Sequence, residues 1–177
     1  MSIEAAVAAL RSGQVIAIPT DTVYGVAALP EFAHLLFAVK RRPERVDLPV
    51  LVPDLAAAET IAVVDDEAKR LAERWWPGGL TLVVNRRASF DADLGERAHT
   101  VGVRAPDHAV ALELLRITGP LATTSANLHK QPPLTTAAAV REVFDESEVA
   151  VIVDGGTCDG MPSTVIDCTF SPPRVLR

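Results

Sequence analysis

The stretch VIAIPTDTVYG, residues 15–25, decides the fold reading of this chain. Val15–Pro19 is a short, apolar, β-branched run of the kind that forms a buried strand. It empties directly into Thr20, Asp21, Thr22 and Tyr24, with Gly25 at the corner. Polar side chains at the carboxyl end of a buried strand occupy the edge of an open α/β sheet where ligands usually bind. Ordinary turn chemistry, with Asp and Thr satisfying nearby backbone groups, is the competing explanation for the same residues.

Outward from this stretch, helical and strand patterns alternate. Ile3, Val7 and Leu10 recur at helical spacing before Gly13, and Phe32, Leu35, Leu36 and Val39 share one face of a helix that starts near Pro30. PVLVP (49–53) reads as a strand bounded by prolines and therefore near a sheet edge. LAAAETIA and DDEAKRLAERWW read as helices, the second opening on acidic residues and stopping at Pro77-Gly78-Gly79. LTLVV (80–84), TVGVR (100–104), LATT (121–124), VAVIVD (149–154) and STVIDCTF (163–170) read as strands, and RVLR as a last short one. Helices are expected over 107–118 and around 135–145. The alternation predicts an α/β fold, a single domain over residues 1–177 with a twisted mixed β-sheet flanked by helices.

Bulk properties narrow the function classes. The chain has 177 residues, 49% hydrophobic and 23% charged, and a chain of this length buries roughly 70% of its unfolded surface. A net charge of −6 gives no global attraction to nucleic acid or anionic lipid. The two cysteines, Cys158 and Cys168, form no CxxC, and the four histidines show no metal-ligand spacing, so no protein-held metal is expected. No apolar run is long enough for a membrane span and no secretory leader is evident, which makes the cytoplasm the expected compartment. The usual nucleotide signatures are absent: the one G-x4-G, Gly155 to Gly160, continues into Met161-Pro162.

Six segments occur in one order: PTDTVYG (19–25), KRRP (40–43), WPGGLTL (76–82), VGVRAPDH (101–108), TSAN (124–127) and STVID (163–167). This series resembles the YrdC-like family of threonylcarbamoyl-AMP synthases across nearly the whole chain. The resemblance implies a YrdC-like fold and the synthesis of threonylcarbamoyl-AMP and pyrophosphate from L-threonine, bicarbonate and ATP. Mg²⁺ is then carried on the ATP phosphates, and the product passes to a separate transferase complex that modifies adenosine-37 of tRNA. Lys40 and Arg42 are implied as the catalytic cations on the phosphates; Ser125, Asn127 and Arg177 join them in the ATP site. Thr22, Tyr24, Arg104, Thr123 and Ser163, with Thr164 beside it, are implied on the threonine and carbamoyl side. Replacing Lys40 or Arg42 with alanine is expected to weaken ATP use and leave the fold intact. Three departures stand out: the strand after KRRP lacks the family's His, Gly79 replaces a proline, and Arg177 is the last residue, where fraying is expected. The rivals are a module that binds double-stranded RNA directly and another YrdC-like carbamoyl-transfer enzyme.

Overall fold

The computed structural model describes residues 2–41, 46–128 and 130–177. Helix α1 (Ile3–Arg11) starts where the Ser2 hydroxyl accepts the Ala5 N–H, and it ends before Gly13, whose φ of 75° is the left-handed value that favours glycine. Strand β1 (Ile16–Ile18) follows, then β2 (Gly25–Ala28), a 3₁₀ turn (Pro30–Phe32) and α2 (His34–Val39). Next come β3 (Val50–Leu51), α3 (Leu55–Ile61), β4 (Ala62–Val63), α4 (Asp66–Trp75), β5 (Leu80–Arg86), β6 (Thr100–Arg104), α5 (Ala109–Thr118) and β7 (Leu121–Ser125). The last elements are α6 (Ala137–Val143), β8 (Val151–Ile152), β9 (Thr164–Asp167) and β10 (Arg174–Val175). Asp54, Asp65 and Thr136 cap α3, α4 and α6 by accepting the backbone N–H three residues on.

Among the described residues the strands form one mixed sheet in the order β10-β9-β5-β6-β3-β7-β2-β1-β8, with β4 paired to β5. β1/β8, β3/β6 and β5/β9 are parallel and the other pairs antiparallel. The α/β class, the mixed sheet and most strands follow the sequence pattern. One placement does not. PVLVP lies in the middle of the sheet, because its prolines bracket the pairing residues and not the pairing itself. The Pro49 carbonyl accepts from Thr123 N–H, and Val52 N–H donates to the Arg104 carbonyl, so no proline N–H is needed.

The two faces of the sheet are covered unequally. On one face Val26, Val50, Leu82, Val84, Val101 and Val103 join a large core under α2, α3, α4 and α6. On the other, α1 and α5 bring Leu10, Leu114 and Leu115 onto Ile16, Ile18 and Leu121. They cover only the β8-β1-β2-β7 half. Over β3, β6, β5 and β9 this second face stays open, and strand alternation puts Thr81, Val83, Gly102, Arg104 and Val165 on it.

Gly25 begins β2 opposite Ser125 at a close approach: a Cβ there would lie 2.9 Å from Thr123 Oγ1. Gly25→Ala is expected to destabilise the fold by about 1–3 kcal/mol, measured as a lowered urea midpoint. Cys158 and Cys168 are both buried free thiols. Burial, with Asp65, Asp167 and Glu67 adding to it, pushes the Cys168 thiol up to about 11. Its proton is held more tightly in the folded chain than in the unfolded one. The resulting stability is complete below the unfolded thiol's range and is lost as pH rises towards 11. Alkaline melts of Cys168→Ser should show a shallower loss over that window than the parent chain.

Candidate active site

The uncovered half of the sheet forms the floor of a cavity of about 430 Å³. Its floor and walls include Thr20, Thr22, Thr81, Gly102, Arg104, Thr123, Ser125, Ser163 and Arg177. Polar groups from both ends of different strands meet there because of strand direction. β5 runs antiparallel to β6 and parallel to β9, with Leu82 opposite Val103 and Thr81 opposite Val165. The start of β5 and the start of β9 therefore lie beside the end of β6, and Thr81, Ser163 and Arg104 converge. Thr20, Thr22, Arg104 and Ser125 reach the cavity from the carboxyl ends of strands. Thr81 and Ser163 reach it from the opposite ends.

Arg104 anchors one end of the cavity. It is only 7% exposed. Its Nε donates to the Gly78 carbonyl at 3.0 Å, Nη1 to Thr22 Oγ1 at 3.0 Å and Nη2 to Asp21 Oδ1 at 2.6 Å. Burial pulls its pKa below the ordinary guanidinium value and Asp21 opposes that pull, while nearby Arg177 adds to it. Asp21 Oδ1 also accepts the Asp107 N–H. Thr20 carries the local turn chemistry: its Oγ1 accepts from Thr22 and Val23 N–H and donates to the Val23 carbonyl. On the same side, Ser163 Oγ lies 3.0 Å from Thr81 Oγ1. Arg177 is bonded into the site: its Nε donates to the Ser163 carbonyl, its Nη2 to Ser163 Oγ, and its carbonyl accepts Val165 N–H.

Ser125 lines the cavity at the end of β7, where it pairs with Gly25 of β2. Lys40 lies behind this wall, 2% exposed. Its Nζ donates to the Ser125 carbonyl at 2.7 Å and to Asn127 Oδ1 at 2.6 Å, and Ser125 Oγ donates to the same Asn127 oxygen at 2.6 Å. Asn127 Nδ2 in turn donates to the Leu128 and Gln131 carbonyls. Lys40 and Asn127 thus support the TSAN loop and are not among the residues that line the cavity. Arg42 lies outside the described residues.

Tyr24 lies off the cavity. Its side chain is fully buried, its hydroxyl donates to the Gly156 carbonyl and accepts the Gly155 N–H, and it does not line the cavity. Thr164 is exposed at the start of β9 and likewise takes no part in the lining. Thr123 does line it, with Oγ1 donating to the Val26 carbonyl. Sequence reasoning missed Thr81, Thr100 and Arg97. Arg97 reaches the cavity rim and pairs with Asp47 at 3.3 Å. Among the described residues no cluster of His, Cys, Asp or Glu is suited to a metal ion, and no helix is long and apolar enough to cross a membrane.

Comparison with known proteins gives a consistent picture. The family model Sua5_yciO_yrdC, described as "Telomere recombination", matches residues 8–177. A Mycobacterium tuberculosis H37Rv protein with a provisional threonylcarbamoyl-AMP synthase name is 39% identical over 99% of this chain and 82% of its own length. The threonylcarbamoyl-AMP synthase of Bacillus subtilis is 37% identical over 97% of this chain and 51% of its own. In structure, Pyrococcus abyssi Sua5 complexed with L-threonine superposes with a TM-score of 0.93 at 36% identity, over 99% of this chain and 53% of that one. Escherichia coli YciO superposes at 0.90 with 29% identity, over 99% of this chain and 87% of that one. The chain spans about half the length of the Bacillus and Pyrococcus proteins. It belongs to the Sua5/YciO/YrdC family.

Proposed function

We propose that this chain is an L-threonylcarbamoyladenylate synthase, a nucleotidyltransferase that converts L-threonine, bicarbonate and ATP into threonylcarbamoyl-AMP and pyrophosphate. One observation carries the reading: a buried arginine bonded to a threonine hydroxyl and the Ser125 loop line one and the same cavity. That layout suits an adenylate joined through its phosphate to a small amino acid.

Threonine and bicarbonate first form N-carboxythreonine: the amino nitrogen bonds the bicarbonate carbon, one C–O bond breaks, and that oxygen leaves as water with a proton from the amine. A carbamate oxygen then attacks the α-phosphorus, the bond to the β-phosphate bridging oxygen breaks, and pyrophosphate leaves with that electron pair. Nucleophile and nucleotide are both anionic, so fixed cations and prior alignment must lower the barrier. Arg104 takes the amino-acid carboxylate, and Thr22 and Thr123 offer hydroxyl partners on the way to the phosphate. Ser163, held by Thr81 and Arg177, faces the carbamoyl group, while Ser125 and Arg177 serve the nucleotide. Lys40 and Asn127 position the Ser125 loop. Arg42 is assigned to the phosphates by family resemblance. Mg²⁺ supplies charge neutralisation as the counterion of the ATP phosphates. Among the described lining residues Asp47 is the one acidic side chain, and it is paired with Arg97, which suits a metal carried by the nucleotide. The work is assigned to the cytoplasm, with the product handed to a tRNA threonylcarbamoyl-transferase complex.

The test is pyrophosphate release with ATP and Mg²⁺, omitting threonine or bicarbonate in turn. Release should need both. Valine, which lacks the hydroxyl, should react about a hundredfold or more slowly, because it leaves buried polar groups unpaired. A folded chain that releases no pyrophosphate under any combination rejects the reading, and salt-dependent RNA affinity would then favour the RNA-binding rival.

A further inference from the structure

We propose that Asp21 is a positioning residue that fixes the Arg104 guanidinium for a ligand carboxylate; the role rests on the synthase reading for the identity of that ligand. The aspartate sits in the loop between β1 and β2, and the arginine ends β6, so their pairing joins two parts of the chain 83 positions apart. Of the two explanations for an aspartate in that loop, local turn chemistry does not describe it: its Oδ1 accepts from Arg104 Nη2 at 2.6 Å and from Asp107 N–H at 3.0 Å, both remote in sequence. The Asp107 bond ties the carboxylate to the backbone just before α5. It is therefore a braced group and not a free side chain that follows the arginine.

The bonds around Arg104 define what remains for a ligand. Gly78 takes Nε, Thr22 takes one N–H of Nη1, and Asp21 takes one N–H of Nη2. Among the described residues each terminal nitrogen has one acceptor, which leaves a second N–H on each for ligand oxygens. Both partners are shielded, with the arginine side chain 8% and the aspartate side chain 18% exposed. The three bonds hold the guanidinium in one orientation in the cavity wall. Orientation of this kind is worth most when the ligand must be aligned for attack on a second substrate.

Charge and geometry predict opposite signs for the loss of Asp21. As a negative charge beside Arg104 it repels an incoming carboxylate, so neutralising it would tighten threonine binding if charge were all that mattered. As a brace it holds Arg104 in place, so removing it weakens threonine binding. Asp21→Asn keeps the shape and one acceptor oxygen; Asp21→Ala removes both.

The experiment measures KM for threonine and for ATP in both variants by pyrophosphate release, and records the Arg104 Nε–H signal by ¹⁵N NMR, assigned by its loss in Arg104→Lys. Asp21→Ala should raise the threonine KM about tenfold or more and Asp21→Asn about threefold, with the ATP KM nearly unchanged. The Arg104 Nε–H should exchange faster with solvent in both, most in Asp21→Ala. An unchanged or lower threonine KM overturns the proposal, as does a loss of melting temperature with no threonine-specific effect. If the parent chain releases no pyrophosphate with threonine, the synthase reading fails by itself. The NMR comparison then decides the brace alone, and an unchanged Arg104 exchange rate in the folded Asn variant refutes it.

Discussion

Arg104→Ala is expected to lower threonine-dependent pyrophosphate release by about a hundredfold to a thousandfold, the usual effect of removing a fixed donor from a developing or bound anion. The fold should weaken as well. The substitution strips Asp21 of its partner and leaves the Gly78 carbonyl and Thr22 hydroxyl without their donor. Breaking a largely buried ion pair, discounted for the partial exposure of Asp21, costs about 2–3 kcal/mol. Arg104→Lys tests whether charge suffices. A single ammonium cannot reach Gly78, Thr22 and Asp21 at once, so lysine should recover stability better than activity. Steady-state kinetics in threonine, beside urea melts of both variants, read the two losses separately.

Lys40→Ala is expected to damage ATP use and stability together. The ammonium bonds the Ser125 carbonyl and Asn127 Oδ1 from a position 2% exposed. Losing charge-assisted bonds of this kind costs about 2–3 kcal/mol. The Ser125 hydroxyl, which lines the cavity and shares Asn127 Oδ1 with Lys40, loses its fixed direction. The result should be a raised ATP KM and a lowered kcat, with the urea midpoint falling in step. The sequence alone predicted an intact fold, because nothing in the KRRP segment signals that its lysine is buried among the atoms of a distant loop. An Asn127→Ala variant should reproduce much of the Lys40→Ala phenotype, since the two side chains support one loop. If Lys40→Ala melts like the parent chain, the buried network contributes nothing to the fold and Lys40 acts on the nucleotide directly.

Much of the architecture was legible because burial writes itself into residue type. The apolar runs at 15–19, 80–84 and 121–124 each gave a strand, and Ser, Asp and Thr caps stand before four of the helices. The pairing order was not legible. β2 hides its first residue in the PTDTVYG corner, β4 follows α3 without a break, and a strand of two residues between prolines carries no sign of lying at the centre. For the site, Thr22, Arg104, Thr123, Ser125, Ser163 and Arg177 do share one cavity. The place of Tyr24 was not legible, because a tyrosine hydroxyl beside a glycine turn looks alike whether it serves a ligand or, as here, bonds the Gly155-Gly156 backbone. Thr81 had a visible signal: within LTLVV it is the one polar residue, in alternation with apolar neighbours. Arg97 had none, since a single arginine in a charged loop becomes part of the site only through the sheet's register.

The half-covered sheet separates two properties that usually trade against each other. Along β6, Thr100, Gly102 and Arg104 face the open side, whereas Val101 and Val103 belong to the packed core. A saturation library over this strand should show a two-residue rhythm: substitutions at 101 and 103 register as heat lability, those at 100 and 102 as altered substrate use, and those at Arg104, which also braces Gly78, Thr22 and Asp21, as both. The same alternation holds in β5, where Thr81 and Val83 face out and Leu82 and Val84 face in. Substrate preference in this chain can therefore be rewritten on one set of alternate positions while the packed core on the other face is left as it stands.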